Sequence, residues 1–213
     1  SHDGGPFLMY DRRDACLDAA DLAAGIRSLA ESPLMDDGAR DLLVCTHGAR
    51  DRCCGAMGTS LAMNITSRDG LRVRRTSHLG GHRFAPTAVL FPEGTAWAWL
   101  DDALVDAILE RSGDLSAVLP HYRGSTALAD PVVQFTERAA FEEVGWDWLD
   151  NERVGTIVAV DGDWTTVRID SALGTWFGTV QKLGTVPQPV CGEELTAAKK
   201  ADPVLKLVDF SFD

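Results

Sequence analysis

Long hydrophobic runs are missing from this 213-residue chain. No apolar segment approaches the roughly 18 residues that a membrane-spanning helix requires, and no charged-then-apolar leader precedes a small-residue cleavage site. A basic surplus is missing too, because 32 acidic residues outnumber 20 basic ones and the net charge is -12. Neutralising nucleic-acid phosphates requires clustered Lys and Arg. We therefore expect neither a membrane nor a nucleic-acid partner, and the acidic surface favours a basic protein partner.

Cysteine is scarce, and its number is odd. Three of the five cysteines fall within ten residues, and the chain exceeds the size at which secreted domains depend on disulfides. We therefore expect a reducing compartment, the cytoplasm. Cys16 and Cys191 have no partner at ligand spacing, and we expect both to pack in the interior.

The hydrophobic pattern predicts an α/β unit followed by a β-rich region. The order strand, helix, strand, hairpin, helix over residues 41–112 is that of a thioredoxin-like unit, and Asp101 is a good N-cap for its last helix. A loop follows at 121–126. The predicted elements are helices over residues 14–30, 54–65, 103–111 and 131–143, and strands over 41–45, 71–77, 87–91, 96–100, 155–160, 164–170 and 174–180. We predict a domain over residues 1–144 and a small β-rich C-terminal appendage over 145–213.

Metal-ligating residues concentrate in two short segments. The first reads Cys45-Thr-His-Gly-Ala-Arg-Asp-Arg-Cys-Cys54-Gly and the second reads Ser-His78-Leu-Gly-Gly-His82-Arg-Phe-Ala-Pro. Cys45 and Cys54 are separated by eight residues, and a Gly-Gly pair places His78 and His82 on a loop rather than a helix. Thiolates and imidazoles on loops that can bend around a bridged di-iron core are typical of iron–sulfur sites. The four side chains predict an iron–sulfur site.

Other interpretations of these residues stay open. Zinc binds the same donors, although its structural sites usually space cysteines by two to four residues. A thiol-dependent redox enzyme would use Cys53 and Cys54, with nearby arginines favouring thiolate, but it leaves the histidines without a role. Cys45 alone would be a small buried residue at the end of a strand.

The two segments, together with Leu90-Phe-Pro-Glu-Gly and Tyr122-Arg-Gly-Ser, resemble the sucrase/ferredoxin-like family of thioredoxin-fold proteins over about residues 42–140. The resemblance implies a [2Fe-2S] ferredoxin-like electron carrier whose cluster is held by two cysteines and two histidines. Carried over by position, the cysteine ligands are Cys45 and Cys54 and the histidine ligands are His78 and His82. The adjacency of Cys53 leaves open a swap with Cys54.

We therefore expect a one-electron carrier rather than an enzyme with its own substrate, and we assign no catalytic residue. By analogy with Rieske sites, Cys45 and Cys54 bind one iron and the two histidines the other, which raises the potential above that of four-cysteine ferredoxins. Each imidazole keeps a second nitrogen, so an exposed histidine makes the potential depend on pH. The expected partner is another redox protein, a reductase or an oxygenase.

Overall fold

Two β-sheets organise the protein, and the computed structural model describes residues 6–13, 22–31, 38–49, 52–65 and 68–213. The first sheet has five strands in the order β2-β1-β3-β4-β5, and the second has four in the order β6-β7-β8-β9. The strands are β1 (Arg40–Cys45), β2 (Leu71–Thr76), β3 (Ala88–Phe91), β4 (Thr95–Trp97), β5 (Tyr122–Ser125), β6 (Arg153–Asp161), β7 (Trp164–Ser171), β8 (Gly174–Gln188) and β9 (Lys200–Phe212). The helices are α1 (Leu22–Glu31), α2 (Thr59–Asn64), α3 (Asp102–Glu110), α4 (Leu115–Val118) and α5 (Pro131–Val144).

The first sheet confirms the predicted thioredoxin-like α/β unit. β1 and β2 pair in parallel, while β3 and β4 form an antiparallel hairpin beside β1. A π-helical turn (Cys54–Gly58) leads into α2 and completes the crossover from β1 to β2. The Asp101 carboxylate accepts a hydrogen bond from the Leu104 amide at 2.8 Å, so the predicted cap of α3 is confirmed.

Helices and strands share one hydrophobic core. Apolar side chains of β1, α2 and α3 form a cluster that continues through Trp97 and Phe141 to Trp176 in the second sheet. Gly155 and Gly178 allow α5 to lie directly on the second sheet, because a Cβ on Gly155 would lie 2.2 Å from Val133 and one on Gly178 would lie 2.4 Å from Thr136. The predicted β-rich C-terminal region is therefore present and packs through α5. The exact division at residues 144 and 145 stays a prediction.

A buried ionic network centred on Glu137 fastens α5 to its neighbours. Its carboxylate accepts hydrogen bonds from Arg153 Nε at 2.7 Å, Tyr122 Oη at 3.0 Å and the Ser125 amide at 2.8 Å. Glu137 and Arg153 are both at least 99 % buried, with relative exposures of 0% and 1%. Burial together with the Glu137 charge raises the pKa of Tyr122 well above its ordinary value. The network ties β5 and β6 to one face of α5.

The loop predicted around residues 121–126 is wrong, because Tyr122–Ser125 forms strand β5 and pairs with β4. Its sequence has no apolar alternation, and Tyr122 is held by ring contacts with Trp97 and Phe141 at 5.0 and 4.9 Å. Strand β8 runs to Gln188, beyond its predicted end, and β9 was not predicted. Of the helix predicted over residues 14–30, residues 14–21 lie outside the described part, and the rest is α1. No helix in the described ranges combines the length and the apolar character needed to cross a bilayer.

Candidate metal centre

Close backbone contacts bring Cys45 and Cys54 together. Cys45 ends β1 and Cys54 begins the π-helical turn that follows the connecting loop. A Cβ on Gly58 would lie 2.0 Å from the Cys45 carbonyl oxygen, and a Cβ on Gly55 would lie 2.4 Å from the Gly48 Cα. Any side chain at these positions would push the helix away from the end of the strand. The glycines thus set the separation between the two cysteines.

Three of the four predicted ligands meet at this point. The donor atoms of Cys45, Cys54 and His78 all lie within 4.8 Å of one another. Both thiols are fully buried and His78 is half-buried. With metal–ligand bonds of about 2.0–2.3 Å, donor atoms this near one another suit either a single metal ion or the neighbouring irons of one cluster. Two thiols and an imidazole are the donor chemistry of both iron–sulfur and zinc sites, and the residues therefore fit a metal group.

His82 is placed on the same loop but does not join this group of three. Gly80 and Gly81 have φ values of 87° and 64°, so the histidines lie on a loop, as predicted. His82 then begins a short 3-10 turn, His82–Phe84, and is half-buried. Its role as a fourth ligand stays a prediction. His47 packs edge-on against His78, with ring centroids 6.4 Å apart.

Cys191 does not simply pack in the interior, as predicted, but forms a disulfide with Cys53 across 138 residues. The Cα atoms are 6.3 Å apart, an ordinary separation for a disulfide. Sequence spacing could not reveal this pair. The bond forms because the connection between β8 and β9, which contains Cys191, lies next to Cys53 in the fold. With Cys53 bonded to Cys191, Cys54 is the cysteine that contributes a thiol to the donor group. Cys16 lies outside the described residues.

Arginine and aromatic side chains surround the histidine loop. The guanidinium carbons of Arg83 and Arg123 each lie 4.5 Å from the centroid of the Phe84 ring, and Arg83 also pairs with Asp202 of β9. Trp99 packs edge-on against Phe84 at 5.1 Å. The C-terminal region therefore contacts the surroundings of the site twice, through Cys191 in the connection between β8 and β9 and through Asp202 of β9.

A separate cavity of about 980 Å³ lies at the opposite end of β1. Its wall includes Glu93, which is only 5% exposed and pairs with Arg40 at 2.9 Å and with Arg111 at 3.6 Å. Asp41, at the same wall, pairs with Arg72 at 3.0 Å and with Arg74. These charges satisfy one another, and sequence reasoning gave no signal for the cavity.

Two solved structures are similar to this chain. One is a thioredoxin-like [2Fe-2S] ferredoxin from Aquifex aeolicus, with 14% identity and a TM-score of 0.33 over 41% of this chain and 93% of that one. The other is a cysteine-to-serine variant of the thioredoxin-like [2Fe-2S] ferredoxin from the same organism, with 17% identity and a TM-score of 0.30 over 39% of this chain and 96% of that one. No curated protein matches the sequence. The family model for sucrase/ferredoxin-like proteins matches residues 12–124, more than half of the chain. The chain belongs to the sucrase/ferredoxin-like family.

Proposed function

We propose that this protein is a one-electron carrier that holds a [2Fe-2S] cluster with Cys45, Cys54, His78 and His82. The observation that carries the proposal is the convergence of Cys45, Cys54 and His78 within 4.8 Å from three separate parts of the chain. Membership of the sucrase/ferredoxin-like family supports it. When bound, such a cluster supplies reversible exchange of one electron at a potential set by its ligands and surroundings.

The protein's own residues give the site two unlike sides. Cys45 and Cys54 are fully buried, so the thiol side is shielded from water. His78 and His82 are half-buried and lie on a surface loop. Electrons therefore enter and leave most readily on the histidine side, where a partner can approach. Two neutral imidazoles in place of thiolates remove negative charge and raise the potential. The pH dependence expected from the second ring nitrogens stays a prediction.

A zinc-stabilised binding module is the second candidate, and one observation favours it. Three donors within 4.8 Å also suit a single zinc ion, since tetrahedral zinc needs only one further ligand or a water. The thiol-dependent enzyme gains less support, because the disulfide occupies Cys53 and leaves no vicinal dithiol.

Metal and sulfide content separates the two candidates. The protein is purified without oxygen, and iron, acid-labile sulfide and zinc are quantified beside the visible absorption spectrum. We expect about two irons and two sulfides per chain. Cys45→Ser and His78→Ala should lose both, and His121→Ala, a histidine outside the donor group, should retain them. One zinc per chain without sulfide would contradict the proposal and support the zinc module.

The proposed partner is another redox protein, a reductase or an oxygenase, which exchanges the electron with this carrier. The half-buried histidine loop is the part of the site that such a partner could approach. We assign no catalytic residue, and the cytoplasmic location stays a prediction.

A further inference from the structure

The stretch of chain that carries the candidate ligands is rich in arginine, although the molecule as a whole is acidic. Residues 40–100 contain eight arginines against four carboxylates, whereas the full chain has a net charge of -12. Arg40, Arg72 and Arg74 pair with Glu93 and Asp41 at the far end of β1, so positive charge near the candidate ligands comes from other arginines. The net charge of the whole protein favours a basic partner. The charge of the contact surface, however, determines which partner docks there.

Two arginines lie directly beside the histidine loop. A Cβ on Gly81 would lie 2.3 Å from a guanidinium nitrogen of Arg123, which shows how closely Arg123 approaches the residue before His82. Arg83 follows His82 in the chain, and its guanidinium group, like that of Arg123, packs against the Phe84 ring. Asp202 pairs with Arg83 and offsets one of these charges. The stacked pair keeps a net positive charge next to the predicted ligands.

Two further arginines extend the positive surface on the cysteine side. Arg52 is exposed and directly precedes Cys53. Arg75 is exposed near the end of β2, where the carbonyl of the next residue, Thr76, accepts a hydrogen bond from the amide that follows Cys45. The exposed carboxylates Glu193 and Glu194 follow Cys191 and offset part of this charge. The four arginines, two on each side, therefore flank the site.

An exposed tryptophan completes this surface. Trp99 is 45% exposed, and its φ of 48° lies in the left-handed region that bulky residues avoid. Its backbone amide donates to the Phe84 carbonyl at 2.8 Å and its ring N–H to the Arg83 carbonyl at 3.3 Å, while its ring also meets His121 edge-on at 6.3 Å. These contacts hold a large apolar side chain outward in an unfavourable backbone conformation, as is typical of functional positions. Tryptophan and arginine are also the residues that contribute most at protein interfaces.

We propose that the exposed face around the site, made of Arg52, Arg75, Arg83, Trp99 and Arg123, docks an acidic redox protein, with Trp99 as the central anchor. The choice of a redox protein rests on the proposed function, whereas the acidic character of the partner follows from the charges of the face. Opposite charges around the contact steer association. Burial of the flat Trp99 ring at the centre of the interface stabilises the complex. The acidic remainder of this protein repels such a partner elsewhere and restricts docking to this face.

Binding to two probe proteins tests the proposal. The immobilised full chain is exposed to flavodoxin, an acidic probe, and to cytochrome c, a basic one, at low and moderate ionic strength. The expected result is tighter binding of flavodoxin, weakened by salt. Trp99→Ala and the double variant Arg52→Glu/Arg75→Glu should each weaken it about tenfold. The matched controls Trp164→Ala and Arg168→Glu, on exposed positions of β7, should bind as the unmodified protein does.

Three results would overturn the proposal: tighter binding of cytochrome c, unchanged binding in both face variants, or equal weakening in the controls. Arg52 and Arg75 are exposed, so the double variant still decides the matter if Trp99→Ala fails to fold. Binding is measured without reference to metal content, and a protein lacking a cluster can still bind flavodoxin. Failure of the proposed function and failure of this docking face therefore give different results.

Discussion

Glycine at position 55 decides how closely the loop after Cys45 can approach the helix that carries Cys54. We predict that Gly55→Ala weakens metal binding and lowers the free energy of unfolding by about 1–3 kcal/mol, because its Cβ would lie 2.4 Å from the Gly48 Cα and backbone must move. Thermal unfolding and metal content check this. Ala56→Ser, one residue on and exposed, is the control and should leave both unchanged. Normal metal content in Gly55→Ala would contradict the account.

Asp41 shows how buried charge makes stability depend on pH. Burial alone would raise its pKa, but hydrogen bonds from Arg72 and Arg74 outweigh burial and lower the pKa below its ordinary value. A lowered folded-state pKa stabilises the protein above the unfolded pKa of about 3.9, and this stabilisation is lost as pH falls through the folded-state pKa.

We therefore predict that Asp41→Asn lowers the free energy of unfolding by about 2 kcal/mol at pH 7 and by progressively less below about pH 4. Urea unfolding at several pH values measures the difference. Asp170→Asn is the control, because Asp170 pairs with one half-exposed arginine and should cost less than about 1 kcal/mol. An undiminished loss at pH 3 would show that Asp41 acts through packing and not through its charge.

At the same scale, the sequence identified three residues that converge in space but not the disulfide, and the ligand roles of those three stay a prediction. Cys45, Cys54 and His78 lie in distinctive segments whose residue types carry their chemistry, and three of the four predicted ligands do converge. Cys191 stands alone in the sequence, and its bond to Cys53 exists only because strands β8 and β9 fold back toward the site. Pairing of distant cysteines depends on tertiary structure that spacing does not encode.

Among the elements, α5 connects the two sheets through Glu137. We predict that Glu137→Gln lowers the free energy of unfolding by about 3–5 kcal/mol, because it leaves Arg153 buried without its counter-charge. Chemical denaturation monitored by tryptophan fluorescence measures the loss, since Trp148 also donates to Glu137 at 3.2 Å. Glu143→Gln, exposed on the same helix, should be neutral. A loss below 1 kcal/mol would mean that the ionic network does not hold α5 in place.

Helices and strands whose buried positions recur at a regular spacing were predictable from the sequence, and those without such a pattern were not. β1 and α3 have clear apolar patterns, and both were predicted within one residue of their observed bounds. β5 depends on Tyr122 contacting residues far along the chain. β9 lies at the edge of its sheet and is half-exposed or exposed along its whole length, so no two-residue alternation of buried positions marks it.

For the whole molecule, the disulfide joins the site to the second sheet. We predict that Cys191→Ser lowers the free energy of unfolding by up to about 4 kcal/mol under oxidising conditions, because it removes a cross-link that closes a loop spanning 138 residues. Adding a reductant to the unmodified protein should produce the same loss and leave Cys191→Ser unaffected. Equal stability of the two proteins without reductant would show that the bond does not form. In a reducing compartment Cys53 and Cys191 would remain thiols. If the predicted cytoplasmic location is correct, the disulfide does not form there.

Pulsed electron paramagnetic resonance of the reduced protein is the sharpest test of histidine ligation to a cluster, because it detects ligand nitrogen through its coupling to the unpaired electron. We predict a [2Fe-2S] signal with strong coupling to two imidazole nitrogens in the unmodified protein. Each of His78→Cys and His82→Cys should retain a cluster and lose one of these couplings. A cluster signal without nitrogen coupling, or a protein that holds zinc and gives no signal after reduction, would contradict the proposed ligand set.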